Sequence, residues 1–220
     1  MIISISLYTY DWPLHPFNQQ HSITGTFGEF RVTHFHEGVD IDGDLNQSVY
    51  SIVSDIVLAR GAQSVTIGNY RYIHIQPEVE VGDSVIAFQT VIGRIIEYQN
   101  TTHLHFEDGI NDADKLNPLR PGALTPYEDT GFPSVWASPD FMLYRQGTNN
   151  QLPLNQPIWG LVDILVRARD RQSLGSENTG IYRIGYQITD LQNKVLLPYT
   201  EGIRFDDING NVGLVYDIAR

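Results

Sequence analysis

Two histidine motifs in this chain carry side chains that could bind one zinc ion. The first is His36-Glu37-Gly38-Val39-Asp40, and the second is His103-Leu104-His105. Zinc binds imidazole nitrogen and carboxylate oxygen readily, and a catalytic zinc uses three protein ligands and a water. A single histidine is more often an ordinary surface or core residue. Two motifs of this kind in one chain favour a metal site.

The spacing inside each motif predicts that both pairs look into one cleft. Side chains at even separations share a face of an extended strand. His103 and His105 are two residues apart, and His36 and Asp40 are four apart. Leu104 then faces the opposite way, into an apolar core. We therefore expect strands with polar chemistry on one face and packing on the other.

The elements that must position these motifs are predicted to be β-strands. Short runs of β-branched and aromatic residues, bounded by Gly, Asp and Asn, occupy residues 51–58, 70–75 and 84–88. This pattern is typical of an all-β barrel or sandwich.

A change in composition divides the chain near its middle. Three prolines and a glycine in residues 116–126 discourage regular structure. We therefore predict two domains, 1–125 and 126–220. In the second, alternation in residues 162–168 and 182–188 predicts a small antiparallel sandwich in which one face of each sheet is buried.

Composition excludes several classes of function. The 220 residues include 26 acidic and 14 basic ones, and the net charge of −12 argues against nucleic acid and anionic lipid as partners. Because there is no cysteine, a thiolate zinc site is excluded. No apolar run approaches the length of a membrane span. The apolar start at residues 1–7 lacks the basic region of a signal peptide.

The motifs and their surroundings resemble one enzyme family. Residues 23–41 are similar to the opening of an M23-type zinc metallopeptidase, the group of LytM and lysostaphin-like cell-wall endopeptidases. Residues 103–107, His-Leu-His-Phe-Glu, match that family's signature. Between them, residues 79–85 and Ile92-Gly93 resemble the family's turns. The similarity covers roughly residues 12–108 in the expected order.

The resemblance implies a role for each residue of the site. His36, Asp40 and His105 would bind one Zn²⁺ per chain, and His103 would be a catalytic histidine. The family's other catalytic histidine has its counterpart at His74. Bound zinc acidifies a water to a pKa of about 7. The two remaining imidazoles could orient or deprotonate that water and stabilise the oxyanion.

Four further residues lie near the motifs. Glu107 has the strand parity of His105 and could orient its ring, with a solvated edge position as the equal alternative. His34 is expected at the mouth of the cleft. His15 and His21 are expected on the surface.

The resemblance implies a zinc-dependent endopeptidase that hydrolyses peptide bonds of bacterial cell-wall peptidoglycan outside the cytoplasm. It also implies an immunoglobulin-like β-sandwich after the peptidase domain. Residues 97–102 lack the glycine that many relatives carry in this turn, so the bond that is cleaved stays open. The alternative is a catalytically silent module that binds cell wall or activates a partner hydrolase. A lipoyl- or biotinyl-type carrier is excluded, because residues 1–114 contain no lysine. No partner protein can be named from the sequence.

Overall fold

The computed structural model describes residues 9–111, 114–135, 141–172, 174, 178–208 and 215–216. Regular structure in these residues is built from twenty β-strands. The predicted all-β fold class is therefore confirmed. Within the described residues, no helix has the length and apolar character needed to span a membrane.

The first half of the chain contains thirteen short strands. In chain order they are β1 (Ile23–Gly25), β2 (Phe30–Arg31), β3 (His34–Phe35), β4 (Val39–Asp42), β5 (Ser48–Tyr50), β6 (Asp55–Arg60), β7 (Ser64–Ile67), β8 (Tyr70–Ile73), β9 (Ile75–Pro77), β10 (Ser84–Val85), β11 (Val91–Ile95), β12 (Glu97–Tyr98) and β13 (Thr101–Asp108).

Most of these strands form one antiparallel sheet. Its order is β1-β4-β13-β8-β7-β6-β10, and β12 pairs with the beginning of β13. A smaller sheet has the order β5-β11-β9, and β2 and β3 form a hairpin of their own. Strand β13 therefore lies at the centre of the large sheet, between β4 and β8.

One apolar core serves both sheets. Leu104 and Phe106 of β13 are completely buried, as the alternation of the second histidine motif predicts. Val39 of β4, Ile75 of β9 and Ile92 of β11 belong to the same buried cluster. Because one face of β13 is fixed by this core, His103 and His105 must point to the opposite face.

Three predicted strands are interrupted in the structure. In residues 51–58, strand β6 begins only at Asp55, because the Ser51 hydroxyl donates to the carbonyl of Val53 at 2.6 Å and closes a local turn. Residues 70–75 are divided at His74, whose φ of 64° separates β8 from β9. The strand expected at residues 84–88 ends at Val85.

The second half contains seven strands. They are β14 (Ser134–Val135), β15 (Phe141–Arg145), β16 (Gln151–Leu152), β17 (Val162–Val166), β18 (Ala168–Arg169), β19 (Arg183–Thr189) and β20 (Val195–Arg204). They pair as β14-β18, β16-β15-β17 and β19-β20. The expected buried faces are wrong for these strands: Ile164, Tyr186 and Ile188 expose 47, 40 and 48 % of their surface. The immunoglobulin-like sandwich stays a prediction.

Side chains of the second half also enter the core of the first. The Phe205 ring lies 5.8 Å from that of Phe35 and packs directly on Gly28. The amide of Asn117 donates to the carbonyl of Phe205 at 2.8 Å, and the Tyr216 hydroxyl donates to the carbonyl of Gly28 at 2.9 Å. Phe205 thus packs in the core of the first half, while the domain boundary at residue 125 stays a prediction.

Candidate metal centre

Three side-chain atoms from the two histidine motifs meet at one point. His36 Nε2 lies 3.1 Å from Asp40 Oδ1 and 3.0 Å from His105 Nδ1. His105 Nδ1 lies 2.8 Å from the same Asp40 oxygen. The structure therefore brings together the three residues expected to be ligands, each with one donor atom directed inward.

His36 is fixed by the loop that precedes the β2–β3 hairpin. Its backbone N–H donates to the carbonyl of Glu29 at 2.7 Å, and its carbonyl accepts from the N–H of Gly28 at 2.8 Å. Its ring Nδ1 donates to the carbonyl of Thr26 at 2.8 Å. Since a carbonyl can only accept, the ring proton is on Nδ1, and the lone pair of Nε2 faces Asp40 and His105.

Asp40 and His105 are direct neighbours across the sheet. They face each other in the pairing of β4 with β13, which explains their short contact. The expectation that one strand carries both His36 and Asp40 is wrong, because β4 begins at Val39. The chain bends at Gly38, where an added Cβ would lie 2.4 Å from the carbonyl oxygen of Phe106. This close approach brings His36 to the cluster.

Arg31 holds the second oxygen of Asp40. Its guanidinium lies 3.4 Å from Asp40 Oδ2 and donates to Glu29 Oε2 at 2.9 Å. The carboxylate is thereby oriented with only Oδ1 toward the histidines. Burial raises the pKa of Asp40, but hydrogen bonds from His105 and His36 outweigh it and hold that pKa well below its usual range. Asp40 is therefore a carboxylate at neutral pH.

The outer nitrogen of His105 is bound to Glu107. His105 Nε2 donates to Glu107 Oε1 at 3.2 Å, and the buried Lys115 ammonium donates to Glu107 Oε2. Burial lowers the pKa of His105, but the hydrogen bonds with Asp40 and Glu107 outweigh it and raise it to about 9. Burial likewise raises the pKa of Glu107, and the bonds from His105 and Lys115 bring it below its ordinary value.

His103 and His74 lie beside the cluster without joining it. His103 Nε2 is 3.7 Å from Asp40 Oδ1. The His74 ring centroid lies 4.8 Å from that of His103 and 5.9 Å from that of His105. The break after β8 positions His74, because Ile73 pairs with His105 and the left-handed backbone at the next residue turns the chain.

The hydrogen bonds around these two rings indicate different tautomers. The Thr101 hydroxyl donates to the carbonyl of Tyr98 at 2.9 Å and lies 3.2 Å from His103 Nδ1. Because its single proton is used there, its oxygen accepts from Nδ1–H, which leaves His103 Nε2 as a free base. His74 Nδ1 is buried without a partner among the described residues. A buried unpaired N–H is costly, so the proton of neutral His74 is assigned to Nε2.

Both rings are neutral at physiological pH. Burial, with the charges of His103 and His105 added, lowers the pKa of His74 to about 4. Burial also lowers the pKa of His103 below its ordinary value, with Asp40 opposing this effect. Neutral rings are required both for accepting a proton at Nε2 of His103 and for donating a hydrogen bond from Nε2 of His74.

The remaining histidines lie away from the cluster. His34 is exposed in β3, where it contacts Thr33 at 3.3 Å. His15 is exposed, as expected. His21 is half-buried and not a free surface residue, because its Nε2 binds the carbonyl of Leu14 at 3.1 Å and its ring packs 5.4 Å from Trp12.

Three residues of the site were missed by the motif argument. Arg31 binds Asp40, Lys115 binds Glu107, and the Tyr98 ring stacks on His74 at 3.9 Å. Lys115 had one signal in the sequence, since it is one of only two lysines in an acidic chain. Arg31 and Tyr98 had none, because their contacts depend on how the β2–β3 hairpin and β12 fold against the sheet.

The donor set fits a zinc ion. Two imidazole nitrogens and one carboxylate oxygen about 3 Å apart match the spacing of ligands that each bind at roughly 2.0–2.2 Å in a tetrahedral site. The outer atoms of His36 and His105 are held by a carbonyl and a carboxylate, an arrangement that fixes which ring nitrogen is offered to a metal.

No family model and no curated protein matches the chain. Among solved structures, it is similar to the catalytic domain of the antimicrobial peptidase lysostaphin from Staphylococcus simulans, with 23 % identity, 44 % of this chain and 89 % of that chain covered, and a TM-score of 0.38. Whole lysostaphin gives 16 % identity, coverage of 92 and 100 %, and a TM-score of 0.41. The catalytic domain of EnpA, a prophage-encoded M23 protein of Enterococcus faecalis, gives 18 %, 49 and 95 %, and 0.37. These matches agree with the resemblance of the motifs, and the function is argued from the site geometry.

Proposed function

We propose that the protein is a zinc-dependent endopeptidase that hydrolyses peptide bonds of bacterial cell-wall peptidoglycan. One observation carries the proposal: three donor atoms of His36, Asp40 and His105 converge, and two neutral imidazoles that are not part of this set stand beside them. The histidine motifs and their resemblance to cell-wall endopeptidases supply the substrate class. An extracytoplasmic location follows from that substrate.

His36 Nε2, Asp40 Oδ1 and His105 Nδ1 are the proposed ligands. A bound zinc would acidify a water and polarise the scissile carbonyl. Arg31 keeps Asp40 oriented with a single oxygen inward. The rings of His36 and His105 keep their outer N–H groups on Thr26 and Glu107.

The acid–base work falls to His103 and His74. His103 carries a free lone pair on Nε2, so it accepts the proton of the attacking water and later returns it to the leaving amine. His74 donates from Nε2 to the oxygen on which negative charge develops in the tetrahedral transition state. Tyr98 covers one face of His74 and keeps its ring in place.

The test is digestion of purified peptidoglycan of several wall types, followed by turbidity and by mass analysis of the new amino termini. The zinc-loaded protein is expected to release peptide fragments. His103→Ala is expected to bind zinc normally and to lose about 10²–10⁴-fold in rate. His34→Ala, an exposed histidine outside the cluster, is the matched control and is expected to cleave normally. Zinc binding without hydrolysis of any wall type would contradict the proposed activity and support a silent module.

A further inference from the structure

Lys115 is a cation in the interior of the first half of the chain. Its side chain is only 2 % exposed, and its ammonium donates to Glu107 Oε2, whose side chain is 4 % exposed. A second carboxylate, Glu37 Oε2, lies 3.5 Å away. Buried charges are tolerated only with such partners, so Lys115 and Glu107 form one unit.

The position of this lysine connects the two histidine motifs. Glu37 follows His36 in the first motif, and Glu107 lies two residues after His105 in the second. Lys115 contacts both carboxylates, although the motifs are far apart in sequence. Arg71 is a weaker candidate for the same task, since it lies 3.9 Å from Glu107 Oε2 and its side chain is 43 % exposed.

The contact decides which nitrogen of His105 faces Asp40. With Oε2 of Glu107 occupied by Lys115, Oε1 is left to accept from His105 Nε2 at 3.2 Å. The ring is then fixed with Nδ1 toward His36 and Asp40. Partners of this kind orient metal-binding histidines and set their affinity for the metal.

We propose that Lys115 is a positioning residue for the metal centre: it anchors Glu107, which retains the proton on Nε2 of His105 and directs Nδ1 to the zinc. The inference rests on the proposed ligand set and deepens it. It does not require that the protein hydrolyses peptidoglycan.

The chain offers a matched control, because its second lysine, Lys194, is exposed. Zinc dissociation constants would be measured by competition with a chelator for the wild type, Lys115→Met and Lys194→Met. We expect Lys115→Met to bind zinc about 10–100-fold more weakly. Lys194→Met is expected to equal the wild type.

A spectroscopic measurement separates positioning from general stability. In the zinc-loaded protein labelled with ¹⁵N-histidine, the wild type is expected to show a protected Nε2–H signal for His105. This signal is expected to broaden or disappear in Lys115→Met. A role limited to stability would leave it unchanged in the folded variant.

A double variant keeps the test informative if Lys115→Met folds poorly. Lys115→Met combined with Glu107→Gln removes both buried charges and avoids an unpaired one. Because Lys115 acts through Glu107, the lysine substitution is expected to change the zinc dissociation constant less than about twofold in the Glu107→Gln background.

The outcomes separate the two proposals. Wild-type protein that binds no zinc would overturn both the ligand set and the role of Lys115. Unchanged zinc affinity in folded Lys115→Met, or its full effect in the Glu107→Gln background, would overturn the role of Lys115 alone. Zinc binding that depends on Lys115 without any hydrolysis would support this role and contradict the proposed activity.

Discussion

Each proposed ligand uses one atom at the metal centre and has its other atom bound elsewhere. His36 is held by the carbonyl of Thr26, Asp40 by Arg31, and His105 by Glu107. The three side chains are therefore oriented by the protein before any metal binds, and little side-chain freedom remains to be lost on binding. The same principle extends to His103, whose tautomer is set by one hydroxyl.

Thr101→Val tests that tautomer. The substitution removes the oxygen that accepts from His103 Nδ1–H, so the ring is no longer held with its lone pair on Nε2. We expect zinc binding to be unchanged and kcat/KM for peptidoglycan fragments to fall about tenfold or more. Thr102→Val is the control on the same strand and is expected to behave as wild type. Equal activity of both variants would contradict the assignment of His103 as the base.

The protonation of His74 gives a prediction about pH. Its pKa is lowered to about 4 in the folded protein, mainly by burial, against roughly 6.5 in an unfolded chain. Below pH 6.5 the unfolded chain takes up the proton more readily, so this histidine reduces the stability of the fold progressively as pH falls from about 6.5 to 4.

Nuclear magnetic resonance of the histidine rings in the metal-free protein checks this directly. The His74 ring signals are expected to stay constant from about pH 5.5 to 8 and to titrate only in urea, where the chain is unfolded. A His74 ring that titrates near 6.5 in the folded protein would show that it is solvated, in conflict with the buried site described above.

At the scale of elements, the site depends on the register of three strands and on two bends. The pairing of β13 with β4 sets Asp40 beside His105, and its pairing with β8 places His74 at the end of the same row. Gly38 and His74 are the points where the chain leaves regular strand geometry. The left-handed backbone of His74, which is unusual for a residue other than glycine, is the kind of strain that concentrates at functional sites.

Gly38→Ala tests the first bend. An added Cβ would lie 2.4 Å from the carbonyl oxygen of Phe106 and 2.9 Å from His105 Nε2, so the loop must move away from β13. We expect zinc affinity to fall about 10–100-fold, since the contact between His105 and Glu107 is disturbed. Gly202→Ala, where the nearest atom is 3.6 Å from the added Cβ, is expected to bind zinc normally. Similar affinities for both variants would show that the bend has room to spare.

At the scale of the whole molecule, the second half of the chain reaches the metal centre through the loop before β2. The N–H of Gly180 donates to Glu29 Oε1 at 3.0 Å, and the other oxygen of Glu29 holds Arg31. Phe205 packs on Gly28 in the same loop. The second half thus supports the hairpin that orients Asp40, which gives it a structural role next to the site.

Phe205→Ala measures that support. Removing a buried phenylalanine ring costs about 3–5 kcal/mol of the free energy of unfolding. We expect Tm to fall by roughly 10 °C. Phe132→Ala removes the same group at a position that is 91 % exposed and is expected to leave Tm unchanged. An equal, small effect of the two substitutions would mean that the contact between the halves contributes little.

The sequence predicts the chemistry of this protein better than its architecture. The ligand types and the face of β13 that carries His103 and His105 follow from residue identity and a two-residue period, because Leu104 and Phe106 must be buried. The bends at Gly38 and His74 do not follow, since they depend on contacts with strands distant in sequence. Arg31 and Lys115 are hidden for the same reason. In the second half, alternation at Ile164 and Ile188 misleads, because these side chains remain exposed.

The central claim is that His36, Asp40 and His105 bind one zinc ion, and elemental analysis of the purified protein tests it most directly. We expect about one zinc per chain in the wild type and a value well below this in His105→Ala, because two ligands without the third hold the metal weakly. His15→Ala, an exposed histidine away from the cluster, should retain the full amount. A wild type without zinc, or a His105→Ala variant that keeps one zinc per chain, would contradict the assignment.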